Sequence, residues 1–117
     1  MSELYIRMQP FLGDRTELIQ RMAGRLDLWE ECVLLFPKEE IIEEMDAAVK
    51  AEDETALYKP VHRLKGNLAN FGFDGAAATA MDLLAAIKNK DSLRIADLYA
   101  RLRDEYIQII ERIGAEE

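Results

Sequence analysis

The chemistry available to this chain centres on His62, the only histidine in 117 residues. On a helix, with about 100° between successive residues, Tyr58, Lys65, Gly66 and Ala69 fall beside it, one or two turns away. An unperturbed imidazole is largely neutral at cellular pH, which leaves a nitrogen lone pair free to attack an electrophile. Lys65, one turn on, is placed to neutralise charge gathering on an attacked phosphoryl group. Gly66 and Ala69 remove bulk from the same face. A glycine inside a helix costs about 0.5–1 kcal/mol relative to alanine, so an exposed Gly66 implies that close approach of another surface is worth that loss. Each residue also has an ordinary reading. A lone surface histidine is usually just a polar residue, Lys65 is a common helix surface residue, and Lys59 and Arg63 are solvated charges.

Other chemistries lack their residues. A metal site built on imidazoles has no second histidine, and no cysteine cluster replaces it, so no metal ligands are expected. The lone Cys32, among Val33, Leu34, Leu35 and Phe36, can form no internal disulfide and reads as a small core residue. No serine or cysteine stands at a strained turn to act as an assisted nucleophile, and no glycine-rich loop is present to hold ATP phosphates.

The elements that position His62 are all helical by pattern. Leu57, Val61, Leu64, Leu68 and Phe71 recur at steps of four and three, forming one buried stripe, and His62 projects roughly 150° away from it, toward solvent. Gly72 and Gly75 bracket a turn in which Asp74 is expected to cap an Ala-rich helix through Met81, Leu84 and Ile87. After a turn at Asn89 to Ser92, a last helix carries Ile95, Tyr99, Leu102, Tyr106, Ile109 and Ile113, with Gly114 just past its end. Upstream, residues 26–51 place Leu28, Cys32, Leu35, Ile41, Met45, Ala48 and Val49 on one apolar face, and Pro37 either kinks one helix or opens a second. Asp14 is a plausible N-cap for a helix through Leu18, Ile19 and Met22, interrupted at Gly24, with a shorter lead-in helix from Leu4 to Phe11.

Composition agrees. Half the residues are hydrophobic and 32% are charged, which suits one folded domain. Ala, Leu, Glu, Lys, Arg and Met dominate, so an all-α fold is expected: an antiparallel up-and-down four-helix bundle over 26–117 with a short N-terminal helical extension over 1–25 packed on it. A net charge of −8 argues against nucleic acid or an anionic membrane as partner. No run approaches the roughly 20 apolar residues that a bilayer needs, so a cytoplasmic protein is expected.

The run His62-Arg63-Leu64-Lys65-Gly66-Asn67-Leu68-Ala69-Asn70-Phe71-Gly72 resembles the H-x-L-K-G-x-x-x-x-x-G core of histidine-containing phosphotransfer (HPt) domains. Phe36, the acidic Glu52 to Glu54 and the Ala76 to Ala80 segment fit the same pattern, so the resemblance runs from about Leu26 onward. It implies a phosphorelay intermediate in which His62 accepts a phosphoryl group from a receiver-domain aspartate and passes it to another. Lys65 would stabilise charge and Gly66 would give steric access. Receivers would dock across Tyr58, Lys59, Arg63, Ala69 and Asn70. The implied partners are response-regulator receiver domains and a sensor or hybrid histidine kinase acting in trans. The domain itself would be a monomer with no autokinase activity and no cofactor, the Mg²⁺ of the reaction belonging to the receiver's acidic pocket.

Three positions depart from the family pattern. Pro60 stands where an ordinary helix former is general, and either kinks the histidine helix or starts it; because the stripe already includes Leu57, a kink is the preferred reading. Leu83-Leu84 replaces a common Leu-Glu pair, and Asn67 replaces a small residue. Two other functions remain open on sequence: a binding module that docks on and inhibits a receiver or kinase without being phosphorylated, and a self-associating structural bundle.

Overall fold

A computed structural model describes residues 3–38 and 40–114, and helix is the only regular structure among them. The α-helices are α1 (Glu3–Arg7), α2 (Arg15–Arg21), α3 (Leu26–Leu35), α4 (Ile41–Lys50), α5 (Glu54–Phe71), α6 (Asp74–Lys88) and α7 (Ser92–Gly114), with 3-10 turns at Gln9–Phe11 and Phe36–Lys38. Helices α4 to α7 are joined by turns of a few residues and pack on their sequence neighbours. This is the antiparallel up-and-down bundle that the patterning predicts. Pro37 falls in the 3-10 turn between α3 and α4, so it separates two helices instead of kinking one.

Helix α5 starts where the Asp53 carboxylate accepts from the Ala56 amide at 3.0 Å, and it stops at Gly72, whose φ of +87° is open to glycine without strain. Leu57, Val61, Leu64 and Leu68 are buried, and Phe71 is half-buried. Pro60 lies well inside α5 and is itself buried, so it does not start the helix. An interior proline costs about 3 kcal/mol. Burying four large side chains on the stripe contributes of order 10 kcal/mol, which is why α5 runs through it.

Helix α3 departs from the expected apolar face. Trp29, Val33 and Phe36 are buried, whereas Leu28 is 41% and Leu35 59% exposed, and Cys32 is only half-buried, not a core residue. The helix is rotated by about one residue because the Trp29 ring goes inside. Its Nε1–H donates to the Phe71 carbonyl at 2.9 Å, and its ring meets Tyr5 edge-on at 5.5 Å. Val49 is likewise exposed at the end of α4, while Ile41, Met45 and Ala48 are buried as expected.

Asp74 does not cap α6. It is the first helical residue, behind Phe73, and no side chain caps that end. Its carboxylate instead fills the space over Gly13, where an added Cβ would clash with Oδ2. As an anion in the first turn it still suits the helix dipole.

The N-terminal segment closes one end of the bundle. Asp14 caps α2 by accepting from the Thr16 and Glu17 amides at 2.9 and 3.3 Å. The Gly13 amide donates to the Gly72 carbonyl at 2.9 Å. Arg21 donates to the carbonyls of Ala69 and Asn70, and Arg7 donates to those of Arg112 and Ile113 at 2.9 and 2.8 Å. The last carbonyls of α5 and α7, which no helix can satisfy internally, thus find donors.

Helices α4 and α7 are tied by Asp46, which accepts from Nε and Nη2 of Arg103 at 3.0 and 2.9 Å and from the Tyr99 hydroxyl. Hydrogen bonding from Arg103 holds the Asp46 carboxyl below the usual carboxylate range against the opposing effect of desolvation, and Tyr99 adds to the lowering. Burial, then the Asp46 contact, pushes the Tyr99 phenol up.

Two outcomes follow from this arrangement. Gly72→Ala places a Cβ at φ +87° and about 3.2 Å from Leu18, and should lose about 1–2 kcal/mol in urea unfolding. Asp46→Asn should cost about 1 kcal/mol at neutral pH, as suits a half-exposed bidentate pair. Because the folded carboxyl titrates lower than the unfolded one, near 3.9, the unfolded chain binds more protons on acidification. Unfolding curves of wild type and variant should therefore converge as the pH is taken below about 4.

Candidate functional site

His62 sits in the middle of α5 on its exposed face, opposite the buried stripe. Tyr58, one turn earlier, stacks on it with ring centroids 6.1 Å apart and planes inclined by 20°. Lys65 and Ala69 are half-buried on the same side of α5 as Tyr58. Gly66 flanks the imidazole on the other side, and a Cβ built there would meet nothing within 4 Å. The glycine is therefore not needed for helix packing. The bundle leaves it as open surface one turn from His62.

The remaining expected docking residues split into two groups. Lys59 and Arg63 lie about 60–100° around α5 from His62, on the side that faces α4. There Arg63 pairs with Glu44, and both Lys59 and Arg63 line a groove of about 540 Å³ with Ala47 and Pro60. Asn70 is exposed at the far end of α5, where its carbonyl and that of Ala69 face Arg21. Tyr58 and Ala69 are thus the residues of that set that share the histidine face.

Residues from α6 complete the face, and sequence spacing did not flag them. The α5–α6 hairpin turns at Gly72 and brings Lys88 back beside Tyr58, with its Nζ 5.7 Å from the ring centroid. Seven residues earlier, hence on the same side of α6, Met81 is 58% exposed. Ala78 and Ala85 are exposed around it. The only local hint was that Met81 and Lys88 interrupt an Ala-rich helix. Leu83 and Leu84 are both buried, so α6 commits to the core the position that lacks the acidic residue of the Leu-Glu pair.

Among the described residues no group of three or more His, Cys, Asp or Glu is placed to hold a metal ion, and no helix is long and apolar enough to cross a membrane. The family model for the Hpt domain matches residues 38–112, well over half of the chain. This chain belongs to the Hpt domain family. No curated protein and no solved structure matches it. As an Hpt domain it has a role in phosphorelay signalling, in which Hpt domains work with receiver domains and histidine kinases. The matched segment of the Hpt domain begins at Lys38, so α1 to α3 lie outside it.

Gly66 gives a test that separates stability from function. Since an added methyl group meets open space, Gly66→Ala should stabilise the Hpt bundle by about 0.5–1 kcal/mol in denaturant melts. A bulky Gly66→Gln should fold equally well yet slow any reaction that requires a partner to approach His62.

Proposed function

We propose that this Hpt domain carries a phosphoryl group on His62, taking it from the aspartate of one receiver domain and passing it to another. The observation that carries this reading is an exposed imidazole in mid-helix with Lys65 one turn on and nothing standing over Gly66. In the forward step an imidazole nitrogen attacks phosphorus, the P–O bond of the aspartyl phosphate breaks, and the aspartate leaves as carboxylate. The onward step is the reverse reaction with a second aspartate. Lys65 offsets the negative charge of the transferring group. Mg²⁺ belongs to the receiver's acidic pocket, so this chain needs only to present the nucleophile.

The surroundings favour a receiver as the docking partner. Tyr58, Ala69, Met81 and Ala85 offer small and apolar contact area about the histidine. Lys59 and Lys65 add positive charge near it in a chain whose net charge is −8. This local positive charge steers an acidic pocket toward the site while the rest of the surface repels it. The same net charge opposes self-association, in keeping with a monomer, and the reading places it in the cytoplasm with a sensor or hybrid histidine kinase upstream of the donor receiver.

Incubation with a phosphorylated receiver domain should transfer an acid-labile, base-stable phosphate to the chain. His62→Gln should receive none. Absence of label on His62 with every receiver from the same genome would sink the proposal, and full biological activity of His62→Gln would replace it with a docking role.

A further inference from the structure

Two contacts around His62 belong to no expected role. The Tyr58 ring takes the imidazole in a stack, at 6.1 Å and 20°, and also takes the Lys88 ammonium at 5.7 Å. Tyr58 is half-buried and lies between α5 and α6, whereas His62 is exposed. An exposed side chain on a helix samples several rotamers, and a nucleophile that samples several is aligned for attack only part of the time.

A stack differs from a hydrogen bond as a way of ending that sampling. The lone pair of an imidazole nitrogen lies in the ring plane. A hydrogen bond that orients the ring therefore occupies one of its two nitrogens. A ring lying against the imidazole face sets the plane and leaves both nitrogens at the free edge. Tyr58 is in turn fixed from α6, because a cation over the ring face is attracted to its quadrupole. The open side is that of Gly66, where no atom stands within 4 Å of a built Cβ.

We propose that Tyr58 is a positioning residue for the imidazole of His62 and that Lys88, through its contact with the Tyr58 ring, is the α6 residue that holds it in place. This rests on the phosphotransfer reading given above. The stack sets the plane in which His62 attacks and directs the incoming phosphoryl group to the edge beside Gly66. Lys88 acts through Tyr58 and not on the reacting atoms.

Phosphoramidate separates positioning from partner docking, since it is a small donor with no docking surface. In that reaction an imidazole nitrogen bonds to phosphorus, the P–N bond breaks, and ammonia leaves carrying the proton released by the imidazole or taken from water. The full chain with Tyr58→Leu should be phosphorylated about 10-fold more slowly, and Lys88→Gln about 3-fold more slowly, while Tyr58→Phe, which keeps the ring, should restore the rate. With a phosphorylated receiver as donor, Lys88→Gln should lower the maximal rate and leave the half-saturating receiver concentration in place. In proton NMR the His62 ring signals, shifted upfield by the stacked tyrosine, should move downfield in Tyr58→Leu and partly so in Lys88→Gln. Lys88 is exposed, so its replacement leaves the core intact and keeps the test valid if Tyr58→Leu unfolds. Wild type that is phosphorylated on His62, with Lys88→Gln matching it in rate and ring shifts, overturns this proposal alone. Wild type that takes no phosphoryl group from either donor overturns the phosphotransfer reading, and this proposal with it.

Discussion

Helix α5 faces two opposed demands. Leu57, Val61, Leu64 and Leu68 must go into the core, and His62 must stay out of it. Only a helical period near 3.6 satisfies both within one segment, because it separates the two sets by nearly half a turn. The stabilisation from burial is about two- to threefold larger than the local penalties that the helix carries. Pro60, with no amide hydrogen, and Gly66, with its excess backbone freedom, are both tolerated inside it for that reason. The site inherits its rigidity from the core behind it, since any rotation of α5 that moved His62 would lift the leucines out of the bundle.

Neighbouring helices refine that arrangement in different ways. From α6 come Lys88 on the Tyr58 ring and the exposed Met81; from α4 comes Glu44, which draws Arg63 away from the histidine. Charges that look equivalent along α5 are thus sorted by what stands opposite. Lys65 remains on the histidine face, while Lys59 and Arg63 border a groove on the α4 side.

Much of this was legible in the residues. Steps of three and four marked the buried stripes of α5 and α7, and the run from His62 to Gly72 marked the site, because those signals depend only on neighbours along one helix. What was missed depends on contacts between segments distant in sequence. Leu28, Cys32 and Leu35 make as good a helical stripe as Trp29, Val33 and Phe36, and spacing cannot rank two stripes a residue apart. The indole decides, since its N–H finds the Phe71 carbonyl only when the ring is inside. Asp74 has the composition of a cap, yet Gly13, arriving from another segment, sets where its carboxylate lies. Lys88 reads as an ordinary basic residue at a helix end, and its place near His62 exists only once the hairpin has closed.

The clasp made by the N-terminal segment has a topological consequence. Arg7 holds the carbonyls of Arg112 and Ile113, so the strand of chain entering the bundle and the one leaving it lie side by side. Segments that already meet need only a short connection to be joined, and closing a short loop costs little entropy. The bundle therefore has the geometry of an insertable module. The chain thus passes Arg7 and Ile113 at one pole, while the mid-helix face of α5 looks out sideways.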